Sequence, residues 1–223
     1  MHRWDVTLQE ALRIQEELRG RVLLQRSFDR IGTVAGADVS FGQDGVTAAV
    51  VVFDYEKLEV VAESVVRSSC SFPYIPGLLT FREGPVLIEA LQRLTHQPDV
   101  VIFDGQGVAH PRGIGIASHL GVLLNQPAIG CAKSPLVGEY AEPDVSKGSF
   151  SPLTVRGETV GAVVRTRQGV RPVFVSPGHL IDLTMAIEIV LGCCTRFRLP
   201  EPTRWAHRRA RLFKEERALL NAQ

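Results

Sequence analysis

Three β-branched runs, Thr33–Val39, Val46–Asp54 and Leu58–Val66, follow one another with only Gly42-Gln43-Asp44-Gly45 and Tyr55-Glu56-Lys57 as turn-like connections. Parallel neighbours need a crossover of about a dozen residues or more, whereas connections this short suit hairpins. The first third of the chain is therefore expected to build an antiparallel three-stranded start to a sheet. The pattern then changes. Pro85–Leu94 reads as a helix with Pro85 in its first position, Val100–Asp104 as a compact strand, Gly115–Leu124 as a helix and Ala128–Ala132 as another strand. Val160–Arg165 and Pro172–Ser176 are expected as a further strand pair. Leu180–Leu191 and Pro202–Leu220 read as closing helices, and Asp5–Leu18 as an amphipathic helix ahead of the sheet. Hairpins followed by strand–helix alternation give an α/β fold, a mixed sheet flanked by helices. No repeat, low-complexity tract or composition break divides the 223 residues, so 1–223 is expected to be a single domain.

Hydrophobic residues make up 45% and charged residues 22% of the chain, which excludes disordered and collagen-like classes. The longest apolar run, Val46–Phe53, is far short of a membrane span. Met1-His2-Arg3-Trp4-Asp5 leads straight into a charged helical pattern without the apolar core of a signal peptide. Cys70, Cys131, Cys193 and Cys194 form no C-x-x-C pair, and reduced thiols in a cytoplasmic protein are expected. No exposed apolar stripe calls for a dimer, so a monomer is expected. The net charge of +1 speaks against a nucleic-acid partner only as an average. Arg196–Arg217 holds eight basic and three acidic residues, so this segment is +5 and the remainder −4. Such a basic helix is an electrostatic footprint for nucleic acid, or else a solvated face.

Asp38 and Asp104 each end an apolar strand, where ligands bind in α/β sheets. Two such carboxylates can converge on one hard cation, Mg2+ or Mn2+; each can equally start a turn or cap a helix. Gly105-Gln106-Gly107 after Asp104 would let a ligand approach the backbone. Glu83, just ahead of Gly84-Pro85, is expected at the start of a helix, either complementing the dipole or joining the metal site. In Ser71-Phe72-Pro73-Tyr74-Ile75-Pro76-Gly77 two prolines stiffen a loop and push Tyr74-Ile75 outward, a wedge for a duplex unless the loop folds back on the core. Lys133 follows a strand in a chain with only four lysines against 21 arginines; it can neutralise a phosphate or simply be solvated. His110, His119, His179 and His207 are each more readily structural than catalytic; His110 and His119 share no metal-binding helical spacing, and there is no H-E-x-x-H pattern.

Six segments together resemble the endonuclease V family, in that family's order and over nearly the whole chain. They are Ala35-Gly36-Ala37-Asp38-Val39-Ser40, residues 72–85 from Phe72 to Pro85, residues 101–112 from Val101 to Arg112, Gly130-Cys131-Ala132-Lys133-Ser134, Ser176-Pro177-Gly178-His179 and residues 200–207 from Pro200 to His207. Cys131 stands where an aliphatic residue is more usual. The resemblance implies a ribonuclease-H-like fold and a repair endonuclease for deaminated bases, chiefly deoxyinosine, in double- or single-stranded DNA. It implies hydrolysis one nucleotide 3′ of the lesion, leaving 3′-hydroxyl and 5′-phosphate ends. Carried over by position, Asp38 and Asp104 would bind Mg2+, with Mn2+ as a substitute, and Glu83 would support the metal shell. Lys133 would contact the reacting phosphate, and His207 would position the attacking water or a second metal. Pro73, Tyr74, Ile75 and Pro76 would be the strand-separating wedge. Gly77, Leu79, Gly105 and Ile116 would line the pocket for the flipped base, with Arg204 and Arg208 as phosphate-binding candidates. Inosine in RNA as the substrate, and lesion binding without catalysis, are the alternatives.

Overall fold

The computed structural model describes residues 1–42 and 45–220, without the side chains of 214–220, and centres on one eight-stranded sheet. The strands are β1 (Thr33–Gly42), β2 (Gly45–Asp54), β3 (Val60–Ser68), β4 (Val100–Phe103), β5 (Ala128–Ala132), β6 (Phe150–Val155), β7 (Glu158–Val164) and β8 (Val173–His179), in spatial order β3-β2-β1-β4-β5-β8-β7-β6. The expected hairpins are present: β1 pairs β2 and β2 pairs β3, both antiparallel. Asp54 closes the second hairpin by accepting from the Glu56 and Lys57 backbone N–H groups, and Gln43-Asp44 of the first turn lie outside the described residues. Only β1, β4 and β5 run parallel, and they are adjacent. The mixed sheet flanked by helices has the ribonuclease-H-like arrangement that the resemblance implies.

The two faces of the sheet are buried differently. One is covered by α2 (Leu79–Gln92) and α3 (Ile116–Leu124), whose Leu87, Leu91 and Leu120 pack on Ala37, Val50 and Phe103. The other meets α4 (Leu183–Gly192) and α5 (Glu201–Leu220), where Ile187, Val190 and Ala206 pack on Val34, Val51 and Ile102. α1 (Leu8–Arg19) lies outside α3, started by a capping box of Thr7 and Glu10. Burial on both faces explains why β2 reads as a nearly unbroken apolar run.

Three expectations need correction. Asp38 does not end its strand: hairpin pairing with β2 carries β1 on to Gly42, so Asp38 lies mid-strand, level with the end of the shorter β4. Pro85 does not open α2: the helix begins at Leu79, so Pro85 lies inside it and Glu83 is in its body, away from the positive end of the dipole. Proline has no N–H to give the carbonyl four residues back, so packing offsets the loss, with Thr80, Phe81, Gly84, Val86, Leu87, Ile88, Ala90 and Leu91 all buried. Strand β6 was not anticipated, because Pro152 lies within it. As an edge strand, β6 tolerates a residue that cannot donate to a ladder. Among the described residues no helix is long and apolar enough to cross a membrane.

Candidate active site

The three adjacent parallel strands each deliver one charged residue at the same edge of the sheet. Ala37 of β1 pairs with Phe103 of β4, which pairs with Gly130 of β5. Asp38 therefore stands beside Asp104, whose backbone N–H donates to the Ala37 carbonyl at 3.2 Å. Lys133 follows the end of β5 and forms an ion pair with Asp104 through Oδ2. His207 reaches the group from α5, its Nδ1 2.6 Å from Asp38 Oδ2, and the Asp38 side chain is only 12% exposed.

Glu83 closes the group from α2, the helix on the opposite face. Burial, then the charges of Asp38 and Asp104, push its carboxyl up to about 8. Burial and the charge of Asp104 raise Asp38 as well. On Lys133, burial favours the neutral amine, but the hydrogen bond and charge of Asp104 outweigh it and raise the pKa. Three carboxyl groups thus crowd one edge of the sheet with more negative charge than Lys133 neutralises. Their hard oxygen donors fit a divalent cation such as Mg2+ or Mn2+. Among the described residues no three His, Cys, Asp or Glu side chains stand in a ready ligand geometry.

A cavity of about 330 Å³ adjoins Asp104 and Lys133. Gly77, Leu79, Gly105 and Ile116, all expected at a base pocket, line it, and Ser134, Pro135 and Leu136 supply a wall that the sequence did not suggest. Tyr74, Ile75 and Pro76 also line the cavity, whereas Pro73, the first residue of the expected wedge, does not. Tyr74 is 70% exposed, as expected of a wedge. Ile75 departs from the expectation: it is half-buried and packs on the cluster of Ala11, Phe72, Leu78 and Phe81. One end of the loop is thus anchored while Tyr74 projects. Arg204 and Arg208 do not join the carboxylates; they line a separate groove on α5. The side chains of Lys214, Glu215, Glu216 and Arg217, counted in the basic segment, lie outside the described residues.

A clamp that no local pattern announced holds the rim. The Gly77 carbonyl accepts from Gln15 Nε2 at 3.0 Å, His110 Nε2 at 3.0 Å and Arg112 Nη2 at 2.5 Å. Gly77 adopts φ +78°, a backbone conformation natural to glycine, and this turns its carbonyl toward those donors. His110 Nδ1 accepts from the Arg112 backbone N–H, so the imidazole is neutral with its proton on Nε2. Burial and the Arg112 charge push His110 down to about 4. The unfolded chain binds this proton near pH 6.5 and the folded chain does not, so His110 costs stability as pH falls from 6.5 toward 4. Glu83 acts in the opposite sense, because its folded carboxyl holds a proton that the unfolded chain releases above pH 4.5. The two must be separated by mutation. His110→Gln keeps a donor for Gly77 and should remove about 1 kcal/mol of the pH 7 to pH 5.5 change in urea-unfolding free energy, measured in chelator. An unchanged pH difference would show that His110 titrates normally in the folded protein.

Residues 16–208 match the Endonuclease V family. The chain belongs to the endonuclease V family. Endonuclease V of Methanothrix thermoacetophila is 56% identical over 218 residues, covering 96% of this chain and 97% of that protein. The crystal structure of Endonuclease V from Streptomyces avermitilis superposes with a TM-score of 0.90 at 45% identity, covering 98% of this chain and 96% of that one. Endonuclease V from Ciona intestinalis, solved with a 23mer DNA containing an inosine followed by a ribo-adenosine, superposes with a TM-score of 0.83 at 30% identity, covering 95% and 99%. The endonuclease V relationship therefore spans the elements that carry Asp38, Glu83, Asp104, Lys133 and His207.

Proposed function

We propose that residues 1–223 act as one domain, a divalent-metal-dependent repair endonuclease that recognises deaminated bases, chiefly deoxyinosine, in DNA. It hydrolyses the phosphodiester one nucleotide 3′ of the lesion, leaving 3′-hydroxyl and 5′-phosphate ends. The observation that carries this reading is the placement of the Asp38–Glu83–Asp104 cluster beside Lys133 and against a cavity rimmed by Tyr74. The Ciona intestinalis relative, bound to inosine-containing DNA, supports the substrate class.

Asp38, Glu83 and Asp104 would hold Mg2+, or Mn2+ in its place. When bound, such an ion polarises the phosphate and makes hydroxide available near neutral pH. The chain's own groups do the rest. Lys133, fixed by Asp104, presents an ammonium to the charge that develops on the phosphate. His207, held by Asp38, orients the attacking water through the imidazole nitrogen that faces away from the carboxylate. Tyr74 fills the space left by an extruded base, and the backbone of Gly77 and Gly105 reads the flipped hypoxanthine. Weak pairing by inosine makes the extrusion less costly than for a normal base. The anchored Ile75 and the clamped Gly77 keep the loop rigid, so little ordering entropy is lost when DNA binds.

An end-labelled duplex with a single inosine tests the reading. One nick, at the second phosphodiester 3′ of inosine, is expected with Mg2+ and none with chelator. Absence of inosine-dependent nicking in Mg2+ and in Mn2+ would overturn it. A second reading, cleavage at inosine in RNA, is favoured by the ribo-adenosine in the Ciona intestinalis complex. Matched single-inosine RNA in the same assay separates the two.

A further inference from the structure

Helix α5 turns His207 toward β1, and on its other flank it borders a second concave surface. A groove of about 570 Å³ lies between the turn after β2 and the segment joining α4 to α5. Its charge is one-sided. Lys57, Arg196, Arg204 and Arg208 line it against a single carboxylate, Glu201. That carboxylate is already engaged, since Oε2 pairs with Arg204 Nη1 at 2.5 Å and Oε1 accepts from Thr195 Oγ1 at 2.7 Å. Lys57, Arg196 and Arg208 therefore face the groove with no carboxylate partner among the described residues.

Two aromatic rings share the surface and stay partly exposed. Phe197 is 42% exposed and Trp205 38% exposed. Each is held in place by a neighbouring side chain. The Arg204 guanidinium carbon lies 3.4 Å from the Phe197 ring centroid, and Trp205 meets Phe53 edge-on at 6.3 Å between centroids. Arg208 also lies over Trp205, 5.9 Å from the ring centroid, so half-exposed aromatics alternate with cations in a stacking platform inside a positive groove. That combination fits unpaired bases on a sugar–phosphate backbone. A duplex keeps its base faces covered and would leave both rings without a partner. An acidic peptide would satisfy the cations but has no reason to need the rings.

We propose that this groove binds single-stranded DNA as a subsite separate from the lesion pocket. Phosphates lie against Lys57, Arg196 and Arg208, and bases stack on Phe197 and Trp205. The proposal rests on the reading of the chain as a DNA endonuclease and adds a place for unpaired strand along α5, away from the carboxylates.

The test is fluorescence anisotropy of a labelled oligo-dT without inosine, in chelator, so that neither lesion recognition nor cleavage contributes. Phe197→Ala should weaken binding about tenfold, the loss of one stacked base, and Phe197→Trp should retain it. The Lys57→Gln/Arg196→Gln double variant should reduce the slope of log affinity against log salt by about 1.4, the loss of two phosphate contacts. Wild-type affinity in Phe197→Ala together with an unchanged salt slope in the double variant would overturn the proposal. Equal or tighter binding of oligo-rU would overturn its assignment to DNA. Inosine nicking, run separately on the wild-type protein, decides the nuclease reading and leaves the oligo-dT result to decide the groove.

Discussion

Asp38→Asn should abolish inosine-directed nicking while leaving binding of the lesion nearly intact. Asparagine matches aspartate in shape, so neither β1 nor the contact with His207, 2.6 Å from Asp38 Oδ2, need be disturbed by bulk. What disappears is a charge from a cluster proposed to hold a dication. A metal-dependent step deprived of one carboxylate should slow by at least about 10³, equivalent to about 4 kcal/mol of activation free energy. Tyr74 and the walls of the 330 Å³ cavity are untouched, so inosine DNA should bind within about threefold of wild type. A second consequence sharpens the test. Asp38 is raised by burial and by Asp104, and it helps raise Glu83, so the Asp38 charge is carried at a cost in the folded chain. Removing one charge should leave the fold as stable as wild type or more so, as expected where a functional site stores electrostatic strain. Single-turnover nicking in Mg2+, anisotropy with inosine duplex and a thermal melt give the three readouts. Nicking within tenfold of wild type would remove Asp38 from the metal site.

Much of this arrangement is written in local pattern. The β1–β3 meander follows from run length and short connections, and Asp104 and Lys133 are visible because each follows an apolar strand, whereas Asp38 is visible as the first charge after the apolar stretch Val34–Ala37 inside β1. Their convergence is a consequence of the adjacency of β1, β4 and β5, which local pattern does not contain. Glu83 was recognised as a candidate but placed in the wrong part of its helix, because Pro85 imitates a first-turn proline. Burial of the face around it overrides that local signal. The clamp on Gly77 lay beyond sequence reading for another reason. Gln15, His110 and Arg112 are 62, 33 and 35 residues from Gly77, and nothing in their own neighbourhoods marks them as partners. Arg204 and Arg208 are legible as cations, yet only the orientation of α5 shows that they line a groove away from the carboxylates.

That orientation depends on one small residue, and Gly36→Ala should disable the protein from outside the reacting groups. A Cβ at position 36 would lie 2.0 Å from the Pro202 carbonyl carbon, 2.2 Å from its oxygen and 2.3 Å from Thr203 N. All three are backbone atoms at the start of α5, so no side-chain rotation can make room. Ordinary contact distances require the helix to retreat from β1 by about 1 Å or more. α5 packs along β1 and β2, and Ala206 on its inner face is fully buried, so the retreat opens a gap that nothing fills. Overpacking of this kind costs about 3 kcal/mol, which in a chain of this length corresponds to a fall in Tm of about 6–12 °C. The same shift carries His207 away from Asp38 and loosens the pair between Arg209 and Glu63, so activity should fall more steeply than stability. A double-mutant cycle distinguishes displacement from general damage. If Gly36→Ala acts by moving His207, then adding His207→Ala in the Gly36→Ala background should slow nicking far less than it does in the wild-type background. Fully additive losses would show that Gly36 acts through some other part of the sheet, and an unchanged Tm would show that α5 does not sit against β1 as closely as these distances require.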